Sequence, residues 1–255
     1  MDFSKLFERK NKENTLKEFK KENKILPGDV RYALEYGDAV MGKNEIEILA
    51  MSNFENEAIY LIFKGLEFNP DLQREFLEKY TSFVLNKNED KKNNREVFGN
   101  LVTETLNQSG DLSVKGGKLA QISRQGFDLW QEKFKTLAEE LSKDHRNVFL
   151  IANSMILGLE KFIEEFSKSN KTLNILIPTK MEGENSNIGY SINFNDKKVE
   201  VQFFQNISSK KENSLLVDDT LHTGKVLNKL VEFWQKDGSA KPEILTLVDL
   251  SKKHE

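Results

Sequence analysis

Few local patterns constrain a fold as tightly as a short apolar run that ends on two acids and turns at once into an amphipathic helix. Ser214-Leu-Leu-Val-Asp-Asp-Thr-Leu-His-Thr-Gly-Lys-Val226 is such a stretch. Leu215, Leu216 and Val217 read as a strand buried on both faces, stopped by Asp218 and Asp219. A tight turn through His222, Thr223 and Gly224 follows. Val226, Leu227, Leu230, Val231 and Trp234 then recur on one side of a helix. A buried strand of this kind belongs to an open α/β sheet, in which ligands sit at the carboxyl ends of the strands. Amide groups at a helix start suit a phosphate, and neighbouring carboxylates suit a sugar diol or a hydrated metal. The residues alone therefore predict a site for a phosphorylated sugar.

The segments around this stretch supply the rest of a sheet. Leu173, Ile175 and Ile177 alternate within a dense apolar run that ends at Pro178. Tyr190–Phe194 and Val199–Phe204 alternate around Asn195-Asp196-Lys197-Lys198, the pattern of a hairpin. After the helix that runs to Gln235, Ile244–Val248 forms a last strand. Strands joined by helices give a mostly parallel sheet of about five strands at the C-terminus. The expected boundary separates a large α-helical N-terminal region, residues 1–146, from an α/β domain, residues 147–255.

Leu215–Val226 resembles the phosphoribosyl-pyrophosphate (PRPP) signature of type I phosphoribosyltransferases, in which an aliphatic strand ends in two acids followed by a loop of hydroxyl residues and glycine. The resemblance covers residues 147–250 and implies a phosphoribosyltransferase-like fold. By that resemblance Asp218 and Asp219 are the catalytic acids and hold the ribose 2′- and 3′-hydroxyls. Thr220, Leu221, His222, Thr223, Gly224 and Lys225 wrap the 5′-phosphate, with Thr223 and Gly224 the best matches. His222 and Lys225 stand where the family usually has threonine or serine, Val226 lacks the usual hydroxyl, and Thr220 replaces an aliphatic residue. The resemblance further implies PRPP bound with Mg2+, and a pyrophosphate loop after the Leu173–Ile177 strand. There Thr179, Lys180, Glu182 and Gly183 are the candidates, with Glu182 or Glu184 as an indirect magnesium contact.

Other readings of the motif fit less well. Gly224-Lys225 is not a P-loop, because the position five residues before Gly224 is Asp219 rather than glycine. A receiver domain would need a phosphoacceptor aspartate on a later strand, for which too little chain remains. A plain strand-to-helix corner capped by aspartates stays open.

The first half reads as helix. Val30–Tyr36, Ile46–Phe63, Leu72–Leu85, Val97–Leu106, Lys118–Leu141 and Val148–Phe166 carry helical spacing. Asn69-Pro70 is a cap with proline at the first helical position. Asn86–Asn94, entirely polar, reads as a mobile connector open to proteases. A hood over the site has to come from this half, as does any arginine for pyrophosphate, because all six arginines precede the motif segment. Arg124 and Arg146 are the candidates, against the plainer reading of both as surface charge.

Composition excludes several classes. The chain has 255 residues, a net charge of −3, no cysteine and three histidines, which leaves no disulfide framework and no thiolate metal site. Lysines and acids are equal in number from Lys171 onward, so no basic domain calls for nucleic acid. No apolar run has the length of a membrane span, and the start is not a secretory signal, so a cytoplasmic protein is expected. Three functions remain open: a transferase acting on PRPP and a nitrogen acceptor, a PRPP- or nucleotide-binding regulatory module, and a helical interaction protein carrying a vestigial domain. The helical region is the expected contact surface for a protein partner or a second copy.

Overall fold

The computed structural model describes residues 30, 40–52, 54–115, 127–152, 154–169, 171–177, 189–194, 197–203, 213–221, 224–236 and 240–249. The chain divides into two compact units, one of Met1–Leu66 with Glu89–Trp130, the other of Glu67–Asn88 with Gln131–Glu255. No described helix is long and apolar enough to cross a membrane.

The first unit is helical with one short antiparallel strand pair. Strands β1 (Val40–Met41) and β2 (Val114–Lys115) pair antiparallel. Helices α1 (Lys43–Ala50), α2 (Glu55–Gly65) and α4 (Lys91–Gln108) pack together. Ile46, Leu49, Ile59, Ile62, Phe98, Val102 and Leu106 supply buried apolar side chains. The Gly42 amide donates to Glu45 Oε2 at 2.7 Å, a carboxylate holding one of the donors that a helix start leaves unpaired. Two expectations are corrected here. Ile46–Phe63 is not one helix, because the chain turns at Met51-Ser52, where the Ser52 hydroxyl donates to the Ile48 carbonyl at 2.6 Å and its amide to Leu49. The polar run Asn86–Asn94 is in part helical: Asp90 caps α4 by accepting from the amides of Lys92 at 3.0 Å and Asn93 at 3.1 Å.

The second unit is built on a six-stranded sheet. Its strands are β3 (Asn147–Ile151), β4 (Leu173–Ile177), β5 (Gly189–Phe194), β6 (Lys197–Phe203), β7 (Ser214–Leu221) and β8 (Glu243–Asp249). They lie in the order β5-β6-β4-β3-β7-β8, and every pairing is parallel except the β5–β6 hairpin. The expected mostly parallel C-terminal sheet is present, and its central strand β3 is a further correction. Val148–Phe166 reads as one helix in sequence. The structure divides it into β3, a short 3-10 turn at Ser154–Gly158 and helix α6 (Leu159–Lys168). Val148-Phe-Leu-Ile151 is continuously apolar, and a run of that length carries no period that separates strand from helix. Paired on both edges and buried on both faces, it is the strand that most needs such a composition.

Helix α7 (Lys225–Lys236) covers one face of the sheet. Leu227, Leu230 and Trp234 pack on Phe149, Ile151, Leu176 and Leu216, with the Trp234 and Phe149 rings edge to face at 5.1 Å. From β3 the chain crosses to β4 on one side, and from β7 to β8 on the other. Right-handed crossovers running in opposite directions place their helices on opposite faces, which makes a three-layer unit. On the second face α5 (Phe127–Leu141) meets α6 and the 3-10 turn: Phe134 and Phe162 pack edge to face at 6.2 Å, and Gln131 Nε2 donates to the Leu157 carbonyl. Helix α3 (Pro70–Leu85) starts as expected, with the Leu72 amide bonded to Asn69 Oδ1 at 3.2 Å and Pro70 in the first turn. It packs on α6, where Lys87 and Glu160 pair at 2.9 Å. Burial opposes ionisation of Glu160, yet Lys87 and Lys161 overcome it and hold the carboxyl below its ordinary value.

Candidate functional site

Strand β7 runs further than its apolar core suggests. Asp218 and Asp219 lie inside it, and pairing with β8 continues through Asp218–Thr246 and Thr220–Val248 to Leu221–Asp249. The expectation that the acids stop the strand is corrected: parallel pairing with β8 carries the backbone through them. Thr220 and Leu221 thus belong to the strand, while Gly224 and Lys225 open the helix. His222 and Thr223, between them, lie outside the described residues.

The turn closes on a backbone conformation that favours glycine. Gly224 has φ +66°, in the left-handed region, and its carbonyl accepts the Asn228 amide at 2.7 Å as the first bond of α7. The amides of the first helical turn have no acceptor within the helix, and they stand at the positive end of its dipole. Both properties suit an anion at the carboxyl end of β7.

The position of β7 in the sheet gives that end its importance. Its neighbour is β3, with Asn147–Ser214 through Leu150–Val217 in register. The chain leaves β3 toward one edge of the sheet and leaves β7 toward the other, so the strand order reverses between these two. In an open α/β sheet the crevice for a ligand forms at such a switch point, outside the carboxyl ends. Asp218 and Asp219 occupy that edge. The strand beside them is β3, continued by Ala152, whose amide bonds the Leu176 carbonyl at 2.6 Å. Strand β4, which Thr179, Lys180, Glu182, Gly183 and Glu184 follow in sequence, stands one strand further away. Those five residues lie outside the described residues, as does Arg124.

Both acids are buried, Asp218 at 4% exposure and Asp219 at 3%. The Asp219 amide donates to Asp218 Oδ1 at 2.9 Å, which fixes the first carboxylate against the backbone of the second residue. Alternation along a strand assigns the two to opposite faces. Asp218 shares the face of Leu216, the face on which α7 packs. Asp219 shares that of Leu215 and Val217, where the 3-10 turn packs on β7. The pair therefore stands on opposite faces of β7, just past its last pairing with β3 and short of its own end at Leu221.

Arg146 is removed from this site, which corrects the expectation that it could reach a pyrophosphate. It directly precedes β3, and because Asn147 is level with Ser214 it stands at the amino edge of the sheet. Asp218 is five positions along the strand, roughly 16 Å away at ~3.3 Å per residue. Its guanidinium is committed there to Asp144, with Nε–Oδ1 at 3.0 Å, and to Glu243 on β8. Hydrogen bonds from Arg146 hold the Asp144 carboxyl well below the usual carboxylate range, against burial, and raise Arg146 in return. Burial pushes the neighbouring Lys171 amine down. Sequence reasoning also missed Asn174, a buried amide on β4 that donates to the Val148 carbonyl at 2.8 Å and ties β4 to β3.

Searches against models of protein families, curated proteins and solved structures find no match for this chain.

Proposed function

We propose that the second unit binds PRPP or a nucleotide 5′-phosphate at the carboxyl ends of β3 and β7. The reaction it would support is transfer of phosphoribose to a nucleobase or another nitrogen acceptor, with release of pyrophosphate. One observation carries the reading: the segment that resembles the PRPP signature falls at the switch point of the sheet, and its glycine takes a left-handed conformation directly before a helix start.

In this reading Asp218 and Asp219 hold the ribose hydroxyls, and the turn His222–Lys225 with the first amides of α7 holds the 5′-phosphate. Adjacent carboxylates and the amides of a helix start suit a polyphosphate that arrives with its metal. Mg2+ bound with PRPP would neutralise charge building on the departing pyrophosphate. The protein would act through positioning and charge stabilisation, which need a site closed to water. Since both acids are nearly inaccessible, the ligand has to part the residues above the strand end.

The β5–β6 turn favours a second reading. Only Asn195 and Asp196 separate these strands, where the resembled family carries the loop that closes over PRPP. A PRPP or nucleotide sensor needs no such closure, and the helical unit would then report occupancy to a partner.

One experiment separates the readings. The protein is incubated with PRPP, Mg2+ and a panel of nucleobases, and pyrophosphate release and melting temperature are both followed. Turnover supports the transferase, and stabilisation without turnover supports the sensor. An unchanged melting temperature with no pyrophosphate would reject both and leave the acids a structural role.

A further inference from the structure

Given the reading of Asp218 and Asp219 as ligand groups, on which the inference rests, we infer that the 3-10 turn Ser154–Gly158 is an autoinhibitory plug. It fills the crevice beside Asp219 and has to move off β7 before a ligand can enter. In an open α/β sheet the segment after the strand at the switch point forms the facing wall of the crevice. Here that strand is β3. Leu150 is level with Val217, so Ala152, still bonded to β4, reaches the level of Asp219. The 3-10 turn begins two residues further on and packs against β7. It therefore stands at the mouth of the site, and Asp219 beside it is only 3% exposed.

The turn is held separately from the helix it leads into. A 3-10 stretch running into an α-helix often marks a hinge. Gly158 forms the joint: it caps α6 without a side-chain bond, and the Phe134 ring lies so close that a Cβ there would come within 2.5 Å of Cγ. Helix α6 has anchors of its own, in Phe162 against Phe134 and Glu160 with Lys87. The turn is held by the burial of Met155, Ile156 and Leu157, and by Gln131 Nε2, which donates to the Leu157 carbonyl at 3.3 Å. That bond is near the long limit for its kind. Apolar burial keeps the closed form dominant, and the Gln131 amide is a polar latch on top of it. Opening leaves the carbonyl to water, so the latch sets how often the site is open.

The test is carbodiimide labelling of the ligand-free full chain, read residue by residue by mass spectrometry, beside calorimetric titration of PRPP with Mg2+. In wild type Asp219 should react slowly against the exposed Asp111. Gln131→Ala removes the latch, and Gln131→Glu keeps its length but loses the donor. Both variants should label Asp219 roughly 3–10-fold faster and bind PRPP tighter by the same factor, because weakening the closed state raises the open fraction. A bond of purely structural value would leave affinity unchanged or lower it. Amide exchange in β3, followed in parallel, should stay as in wild type, which separates opening of the turn from loss of the fold. Unchanged labelling of Asp219 in both variants, or PRPP binding that is present but no tighter in them, would overturn the plug. Faster labelling in a chain that never binds PRPP would uphold the plug and reject the PRPP reading instead.

Discussion

Gly224 is where backbone geometry and proposed chemistry can be perturbed together. An alanine there keeps the helix start but adds a Cβ at φ +66°. The left-handed conformation costs an L-residue roughly 1–2 kcal/mol. The more restricted unfolded chain offsets roughly 0.4–1 kcal/mol of this. Gly224→Ala should therefore lower stability by about 1 kcal/mol, read from urea denaturation at constant slope. Asparagine visits the left-handed region readily, so Gly224→Asn should cost less than alanine. Binding should suffer more than folding. If alanine turns this peptide away, a hydrogen bond to a charged phosphate is lost, worth roughly 1.5–3 kcal/mol. That corresponds to about 10–100-fold weaker binding of PRPP in calorimetric titration. The reasoning fails if alanine matches wild type in both stability and affinity, or if asparagine is the worse substitution.

Two other glycines and one ion pair give further tests. A Cβ at Gly158 would lie 2.5 Å from Cγ of the fully buried Phe134 ring, whereas one at Gly99 would meet the Sδ of Met51, a flexible side chain 51% exposed. Gly158→Ala should thus cost roughly 1–3 kcal/mol as an overpacked core, whereas Gly99→Ala, mid-helix with only the flexible Met51 to displace, should not destabilise and should gain up to about 1 kcal/mol, both by denaturant titration. Asp144 has its carboxyl depressed in the folded state, so its contribution to stability is full above the ordinary value of 3.8 and is lost as pH falls below it. Wild type should therefore be more stable than Asp144→Asn by a constant margin near neutrality, and the margin should shrink in acid. A margin that grew in acid would have the wrong sign.

How far the fold could be read ahead depended on whether a segment's pattern was self-sufficient. The β5–β6 hairpin, β8, α7 and the cap of α3 each carry a local cause: alternation, a dense apolar run, a one-sided helical stripe, an Asn-Pro start. Strand β3 carries none, because Val148–Ile151 is apolar at every position and its identity comes from neighbours on both edges. The order of strands is a property of the sheet and not of any segment, so nothing local in the sequence says that β7 sits beside β3. Arg146 shows the same limit. Its type suits a pyrophosphate, and only the register of β3 against β7 places it at the far edge. The buried state of Asp218 and Asp219 was likewise not legible, since pairing with β8 carries the strand past two residues that usually end one.

The proposed function requires those two acids to meet a pentose phosphate. Titration calorimetry of PRPP with Mg2+ into the wild-type chain and into the Asp218→Asn/Asp219→Asn variant tests this most directly, with circular dichroism to confirm that the variant folds. Saturable binding to wild type and none to the variant is the expected result. Equal heats from both proteins, or no binding to the wild-type chain, would contradict it.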